Sequence, residues 1–492
     1  MANPKRMTFL VTNDVHSRHF GFASEAGEDL GGSARRASYF KEQRKKYNGN
    51  VITLDVGDVF LGSDFFTFFD GEVEMKVMES LGYEAMAVGN HDFDQGGLPN
   101  LLKQSIHAPS VTLLCANLFK ASDSSFVFAP YKIIQKGGLK VAIAGLLGQS
   151  AWDVIPNEYR EGLVFQDIQT AAVNVSKLMR EKENPDITVC LSHNGYRRGD
   201  RDLCELGLFD LVFSGHEHMR PLSEWISVPY KDEVSDKKES LLHPGNWGGR
   251  AVAKVTLEVA QSGGTKVVEK STDVIDSSFE ESLGIASMLN SYKERYSHIA
   301  EEKIATCHNE LCRDYLSNNY RLSSSLPLSE FICLAFRRFF SPPAEIGIVN
   351  LGGIRAGIPK GTVTWSTINK LWPFQDDIHQ IKLHGAHLNQ ILERNLHRVN
   401  TTSGSGMVYH FSGLKVEYSE NENSKISINA IEVNGEKLSH EKEYTVSITK
   451  YLLENDLHEI EDIVAKQANS VRKENLRDLL IEHTKSIKIL GI

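Results

Sequence analysis

The chain has no apolar run near the roughly 18 to 20 residues that a membrane-spanning helix needs. Its N-terminal apolar stretch covers only residues 7–11, which is too short for a signal-peptide core and instead predicts a first β-strand. The six cysteines are scattered without a CxxC pair, and reduced, buried thiols are the simplest interpretation. We therefore expect a cytoplasmic protein without a membrane partner; the mature form of a periplasmic or secreted protein is the alternative.

Basic residues are not in excess either. The formal net charge is −10 and the isoelectric point is about 6.0. Binding to polymeric nucleic acid depends on neutralising phosphates, so an acidic chain argues against such a partner. A small phosphorylated substrate stays compatible with this charge, because local cations can outweigh the global field. Internal repeats and low-complexity tracts are also absent from the sequence.

A chain of 492 residues is too long for one ordinary hydrophobic core. Residues 1–276 alternate strand-like apolar runs with amphipathic helical patterns, which predicts a layered α/β catalytic domain. The polar pattern of residues 277–306 predicts a helical linker. Residues 307–492 then form a smaller α+β domain, in which helical and strand-like segments are mixed.

Short polar motifs follow five of the predicted strands, each where the strand ends. They are Asn13-Asp14-Val15-His16, Gly57-Asp58, Gly89-Asn90-His91-Asp92, Ser192-His193-Asn194 and Gly215-His216-Glu217-His218. In α/β sheets the carboxyl ends of the strands and the following loops form the usual ligand crevice. Residues spread over roughly 200 positions are therefore expected to converge on one site.

The residue types in these motifs favour a metal site. Among the side chains of these motifs, two aspartates, four histidines and one asparagine suit two divalent cations, since imidazole favours zinc, iron, nickel or copper and carboxylate admits manganese. Any one motif alone is a weak signal, because a lone Gly-Asp after a strand is usually a turn. The presence of all five motifs in one chain, each directly after a predicted strand, favours the metal site. By contrast, we interpret the Arg-Gly-Asp tripeptide at 198–200 as a loop coincidence.

In this order the motifs resemble those of the calcineurin-like metallophosphoesterases, and within them the 5′-nucleotidase and UDP-sugar hydrolase group. The resemblance covers nearly the whole chain, because the blocks Asn350 to Arg355, Trp372 to Phe374 and Phe411 to Val416 also match. It implies an N-terminal layered β-sandwich flanked by helices, followed by a substrate-binding C-terminal domain.

The resemblance also implies roles for individual residues. One metal ion would be held by Asp14, His16 and His218, and a second by Asn90, His193 and His216, with Asp58 bridging both. The ions would be divalent (Zn, Mn, Co or Fe), and the nucleophile would be a metal-activated hydroxide. His91, oriented by Asp94, would stabilise charge on the phosphoryl oxygens or on the leaving group.

For the C-terminal domain, the resemblance implies that Asn350 and Arg355 contact the substrate and that Phe374 and Tyr451 stack a nucleobase. Several departures from the family pattern fall here: an expected arginine is only approximately matched by Arg321, Leu334 stands where an aspartate is usual, and two turns differ. Residues 375–377 (Gln-Asp-Asp) replace a Gly-Asn-like turn, and residues 454–457 (Glu-Asn-Asp-Leu) replace a Gly-Gly-Asp-Gly-type turn. The catalytic half thus matches the family more fully than the selectivity half.

Three functions remain open from the sequence. The leading hypothesis is a 5′-nucleotidase-like nucleoside monophosphate phosphatase of nucleotide catabolism. The second keeps the site but cleaves cyclic nucleotides or UDP-sugars. The third is a catalytically inert protein that binds phosphorylated ligands; the complete ligand set and His91 argue against it.

Overall fold

The computed structural model describes residues 4–23, 27–219, 223–230, 238–260, 264–312, 327–401, 408–420, 426–455, 457, 460 and 471–491. The chain divides into two compact units, Met1–Arg295 and Tyr296–Ile492. Within the described ranges, no helix combines the length and apolarity needed to cross a bilayer. All six cysteines carry free thiols, five of them buried.

The described strands of the first unit are β1 (Lys5–Thr12), β2 (Phe22–Ala23), β3 (Asp29–Leu30), β4 (Val51–Asp55), β5 (Ala85–Ala87), β6 (Thr112–Leu114), β7 (Leu118–Lys120), β8 (Tyr131–Lys136), β9 (Leu139–Leu147), β10 (Leu163–Phe165), β11 (Ile187–His193), β12 (Leu211–Ser214), β13 (Ile226–Tyr230), β14 (Lys238–His243), β15 (Ala251–Val259) and β16 (Thr265–Val274). The α-helices are α1 (Ser33–Lys46), α2 (Asp64–Phe69), α3 (Glu72–Leu81), α4 (Gly97–Ser105), α5 (Gln149–Asp153), α6 (Asn157–Arg160), α7 (Ile168–Glu183), α8 (Asp200–Glu205) and α9 (Leu283–Ala300), the last of which contains the boundary between the units.

Two six-stranded sheets form the frame of this unit. Their strand orders are β16-β15-β1-β4-β5-β6 and β13-β14-β12-β11-β9-β8. In the first sheet β1, β4, β5 and β6 are parallel, and in the second β9, β11, β12 and β14 are parallel. Each sheet therefore gathers several carboxyl strand ends at one edge.

The two sheets share one hydrophobic core. Phe9 and Leu54 from the first sheet belong to the same buried cluster as Ile143 and Leu191 from the second. Neighbouring residues on the second sheet face the other way, and Ala144 packs in a separate cluster with residues of α7. This alternation is the period-two pattern of a strand buried on both faces. The predicted layered β-sandwich flanked by helices is confirmed.

The helix bounds follow from local chemistry. The Asp167 side chain caps α7 by accepting from the Thr170 N–H, and Asn184 ends it in a left-handed conformation. Gly82 ends α3 in the same way, with φ of 71°.

The described strands of the second unit are β17 (Lys303–Cys307), β18 (Ile346–Asn350), β19 (Gly361–Thr364), β20 (Asp377–His384), β21 (Tyr409–Ser412), β22 (Leu414–Glu420), β23 (Ile426–Val433), β24 (Glu436–Lys437), β25 (Glu443–Thr449), β26 (Val471–Asn475) and β27 (Ile489–Leu490). Its α-helices are α10 (Pro327–Phe339), α11 (Trp365–Leu371), α12 (Gly385–Thr401), α13 (Lys450–Asn455) and α14 (Leu476–Ile487).

A five-stranded mixed sheet, in the order β21-β18-β25-β20-β26, organises the second unit. One buried cluster contains Phe336 of α10 and Leu480 of α14, together with Trp372. A second cluster contains Ile391 of α12 and Val416 of β22. The predicted α+β character of the C-terminal domain is confirmed.

Candidate metal centre

Five strand ends meet in the first unit, three from one sheet and two from the other. The loops after β1 and β4 are joined by backbone hydrogen bonds, from Asp14 N to Gly57 O at 2.9 Å and from His16 N to Asp58 O at 3.0 Å. A backbone hydrogen bond from Gly215 N to Ser192 O, at 2.9 Å, joins the ends of β11 and β12. The sequence predicted one crevice at strand ends, and the structure builds it from both layers of the sandwich.

The first cluster of side chains consists of Asp14, His16, Asp58 and His218, whose ligand atoms all lie within 4.8 Å of one another. The Nε2 atoms of His16 and His218 are 2.8 Å apart. His218 Nε2 also lies 3.3 Å from Asp14 Oδ1, and His16 Nε2 lies 3.9 Å from Asp58 Oδ2. The side chains thus face a common point.

The second cluster consists of Asp58, His193 and His216, again within 4.8 Å. His193 Nε2 lies 3.2 Å from Asp58 Oδ2, and the His193 and His216 rings are 5.3 Å apart between centroids. Asp58 therefore belongs to both clusters, which is the geometry that a carboxylate shared by two cations requires.

Asn90 lies next to the second cluster. Its neighbour His91 donates its backbone N–H to Asp58 Oδ1 at 2.8 Å. The side-chain Oδ1 of Asn90 is buried and accepts no hydrogen bond from the described residues. A buried oxygen of this kind needs a partner, and a cation supplies one. A side chain at Gly89, the preceding residue, would collide with Asp58 and His193.

Two imidazoles are oriented as metal ligands commonly are. His16 Nδ1 contacts Phe60 O at 3.1 Å, and His193 Nδ1 contacts Val56 O at 2.8 Å. A proton on Nδ1 makes each of these contacts a hydrogen bond and leaves the Nε2 lone pair towards the cluster. Ligating histidines typically donate their other N–H to a backbone carbonyl in this way. The donor set therefore fits two divalent cations.

The electrostatics of the clusters are strongly coupled. Burial opposes the ionisation of Asp58, yet the neighbouring His193, His91 and His16 hold the pKa of that carboxyl well below its usual range. Burial likewise opposes a charge on His193, but Asp58 raises its pKa. Burial, with the charge of His193, lowers the pKa of His216 well below its usual value, so its ring is neutral and suited to ligation.

The backbone at these residues is unusual. Five of the seven predicted ligands adopt a positive φ: Asp14 (48°), His16 (51°), Asp58 (57°), His216 (75°) and His218 (41°). Residues other than glycine seldom occupy this region, and its energetic cost is accepted mainly at functional sites. The hydrogen bonds between the loops hold these conformations.

Sequence reasoning assigned no role to Asp92, although it lies in the Gly-Asn-His-Asp motif. Its carboxylate accepts backbone N–H groups from Gly89 at 2.8 Å, Asp58 at 3.0 Å and Val59 at 2.9 Å. Asp92 is fully buried and joins the loop after β4 to the loop after β5. Burial, with the charge of Asp58, raises the pKa of this carboxyl. Its position in the motif was the available signal.

The loop of residues 243–249 was also missed. The Asn246 N–H donates to Asn13 Oδ1 at 2.8 Å, and Asn13 Nδ2 donates to Asp14 Oδ2 at 2.5 Å. The Trp247 ring stacks on His218, with 6.1 Å between centroids and 17° between planes. The sequence signal was a turn rich in glycine and proline directly after a strand.

His91 and Asp94 lie together as the sequence predicted. His91 Nδ1 is 2.8 Å from Asp94 Oδ2, and both side chains are largely buried. The His91 ring meets the His16 ring edge to face, at 5.2 Å between centroids. The dyad therefore borders the first cluster.

In the second unit, Asn350 ends β18 in extended backbone, with φ of −91°, and is 6% exposed. The Arg355 guanidinium carbon lies 5.8 Å from the centroid of the Phe374 ring. Gly353 lies between Asn350 and Arg355 in sequence, and a side chain there would collide with the Trp372 ring, which explains the glycine of this turn. Asn350 and Arg355 thus flank one tight turn.

Phe374 and Tyr451 occupy segments joined by a hydrogen bond. The Tyr451 N–H donates to Asp376 Oδ1 at 3.2 Å, two residues beyond Phe374. The two aromatic side chains pack against different apolar clusters, Phe374 with Trp372 and Tyr451 with Leu452. In the altered turn after Tyr451, Asp456 lies outside the described residues.

Comparison with known proteins identifies the class. Residues 7–220 match the calcineurin-like phosphoesterase family, and residues 303–458 match the 5′-nucleotidase C-terminal domain. Together the two matches indicate a hydrolase acting on phosphate esters. The resemblance inferred from the motifs is confirmed. The family implies divalent metal ions, for which the two clusters provide sites.

Individual relatives agree with this assignment. The trifunctional nucleotide phosphoesterase YfkN of Bacillus subtilis is 26% identical over 88% of this chain, which spans only 30% of that longer protein. The snake venom 5′-nucleotidase of Crotalus adamanteus is 27% identical over 85% of this chain and 74% of its own length. The crystal structure of a 5′-nucleotidase precursor from Thermus thermophilus shares the fold, with a TM-score of 0.83, 22% identity and coverage of 99% and 97% of the two chains.

Proposed function

We propose that this chain hydrolyses nucleoside 5′-monophosphates to nucleosides and phosphate with the help of two divalent cations. One observation carries the proposal: the two clusters of metal-ligating side chains share the single carboxylate of Asp58. The 5′-nucleotidase C-terminal domain and the 5′-nucleotidase relatives support the nucleotide as substrate.

In this proposal, Asp14, His16 and His218 hold one cation and Asn90, His193 and His216 hold the other, with Asp58 shared. When bound, such a pair supplies Lewis-acid activation of water and stabilises charge on the phosphoryl oxygens. Asn13 and Asp92 keep the loops of Asp14 and Asp58 in place through the bonds described above.

His91 handles the proton of the leaving group in the proposed reaction. Its Nδ1 hydrogen bond to Asp94, at 2.8 Å, fixes the ring and makes Nε2 the nitrogen that donates to a phosphoryl or leaving-group oxygen. Asp94 favours the protonated ring as negative charge develops on the substrate.

The second unit recognises the substrate. Arg355 suits a phosphate oxyanion because a guanidinium offers paired, charge-assisted hydrogen bonds. Asn350, on the other side of the same turn, adds an amide. Phe374 and Tyr451 stack the base, and the hydrogen bond from Tyr451 to Asp376 keeps their two segments adjacent.

The test is a phosphate-release screen on chelator-stripped protein to which Mn²⁺, Co²⁺ or Zn²⁺ is returned. We expect hydrolysis of AMP and other nucleoside 5′-monophosphates only after a metal is restored, with metal analysis giving two ions per chain. Full activity in the stripped protein, or binding of a single ion, contradicts the dinuclear assignment.

Phosphodiester cleavage at the same site is the second candidate, because the relative YfkN is a trifunctional nucleotide phosphoesterase. Including 2′,3′-cyclic AMP and UDP-glucose in the screen separates the two candidates. A cyclic nucleotide or UDP-sugar hydrolysed faster than every monophosphate favours the diesterase. Binding of nucleotides without any turnover favours the inert binding protein.

A further inference from the structure

Asp200 is the last residue of the Arg-Gly-Asp tripeptide and the first residue of α8, and it is fully buried. Its carboxylate is therefore not exposed on a surface loop. It accepts hydrogen bonds from Ser192 Oγ at 2.7 Å, from Asn194 Nδ2 at 3.2 Å and from Ser214 Oγ. Three donors on one buried carboxylate form a strong, directional junction.

These donors flank two of the predicted metal ligands. Ser192 and Asn194 stand on either side of His193, and Ser214 is two residues before His216. Ser192 and Ser214 are paired partners on the adjacent parallel strands β11 and β12. A single side chain thus ties together the two strand ends that present His193 and His216.

The other cluster is held by different groups. Asp14 receives a hydrogen bond from Asn13 Nδ2 at 2.5 Å, and Asn13 in turn is held by Asn246. Trp247 from the same loop stacks on His218. Each cluster therefore has a support of its own, although the two share Asp58 and are linked by the hydrogen bond from the His216 N–H to the Asp14 carboxylate at 3.0 Å.

We propose that Asp200 is a positioning residue that sets the affinity of one of the two metal sites, the site of His193 and His216. The proposal rests on the proposed function, since it needs two bound cations. Asp200 fixes how the ends of β11 and β12 are aligned, so that both imidazoles face one point. Residues that support metal ligands in this way typically change metal affinity by about 10- to 100-fold when replaced.

The experiment is a Co²⁺ titration of the metal-free full chain. Calorimetry and the visible absorption of the bound ion are the two readouts of this titration. For Asp200→Asn we expect two binding events, one weakened roughly 10- to 100-fold and the other unchanged. Asn13→Ala is the matched control. We expect it to weaken Co²⁺ binding at the other site, that of Asp14, His16 and His218, and to leave the His193 and His216 site unchanged.

A double-variant comparison identifies the affected site. In a His218→Ala background, which disables the first cluster, adding Asp200→Asn should weaken the remaining Co²⁺ event. In a His216→Ala background, the same addition should leave the remaining event unchanged. Equal weakening in both backgrounds overturns the proposal, because it indicates a general structural role.

Other outcomes separate this inference from the proposed function. Wild-type protein that binds fewer than two Co²⁺ ions contradicts the proposed function itself. Two wild-type ions with unchanged affinities in Asp200→Asn contradict only the role of Asp200. If Asp200→Asn does not fold, Ser214→Ala removes one of the three donors, and it must still weaken the same event for the proposal to stand.

Discussion

The two units hold their predicted functional residues in different ways. In the first unit the metal-ligand loops are tied to one another by backbone hydrogen bonds and by buried side chains such as Asp92. In the second unit Arg355, Phe374 and Tyr451 are half-buried side chains at the edges of apolar clusters. Hydrolysis of a phosphate ester requires ligand side chains at fixed positions. Stacking of a nucleobase requires only an exposed aromatic surface of suitable shape. The second arrangement tolerates change more readily, and there the sequence departs from the family.

The largest effect should come from Asp58, the residue common to both clusters. Asp58→Asn removes the shared charge, so we expect loss of bound metal and no detectable phosphate release. Metal analysis and a phosphate assay measure the two effects. Asp202→Asn, at an exposed position in α8, is the matched control. Retained metal and activity in Asp58→Asn would remove the basis for treating the first unit as the catalytic one.

A smaller loss is expected at His91, which borders the first cluster without belonging to it. His91→Ala should keep both ions and lower kcat roughly 10²- to 10³-fold, because proton donation to the leaving group is lost while the metal ligands remain. Steady-state kinetics with parallel metal analysis tests this. If His91→Ala lost an ion instead, His91 would be a metal ligand and would belong to the first cluster.

The effect at Phe374 should be smaller still and should depend on the substrate. Base stacking contributes about 1 to 3 kcal/mol, so Phe374→Ala should raise KM for AMP roughly 5- to 150-fold. Hydrolysis of p-nitrophenyl phosphate, which lacks a base, should not change. Phe339→Ala, another partly buried phenylalanine against the same apolar cluster, serves as control. Unchanged AMP kinetics would remove the recognition role from this surface.

The effect with the least bearing on catalysis concerns stability in acid. Burial lowers the pKa of His243 to about 3, so the folded first unit keeps this ring neutral. The unfolded chain takes up a proton below about pH 6.5. Stability from this group is therefore complete above pH 6.5 and is lost as the pH falls towards 3.

Between pH 7 and pH 5 this single ring should lower the free energy of unfolding by about 2 kcal/mol. Urea unfolding of the metal-free protein at both pH values measures the change. His243→Gln should lose less stability over this range than the wild type. Buried carboxyls with raised pKa values, such as those of Asp55 and Asp376, also contribute to the pH dependence of the wild type, so the comparison between variant and wild type is the test. A His243→Gln variant that loses as much stability as the wild type over this range would contradict the prediction.

Sequence reasoning located the catalytic half because its signals are local. Each ligand motif follows an apolar run, and the structure ends β1, β4, β5, β11 and β12 next to those motifs. The alternation of strands with amphipathic helices over residues 1–276 was equally readable, since amphipathic periodicity is also local.

Contacts between distant segments were not readable. Asn246 supports Asp14 from more than 200 residues away in the chain, and no local pattern announces such a pairing. The contribution of both sheets to one site also escaped prediction, because the packing of one sheet on another depends on tertiary contacts. The sequence predicted a loop at Asp200, whereas in the structure its buried carboxylate accepts from three hydrogen-bond donors.

The left-handed backbone of the ligand residues has a consequence for substitutions there. A glycine at position 16 or 218 would relax the chain at little steric cost, while removing an imidazole. The backbone conformation alone therefore favours glycine at these positions, whereas the proposed metal site favours histidine. Glycine at either position should cost the proposed site a ligand while easing the backbone of the metal-free chain.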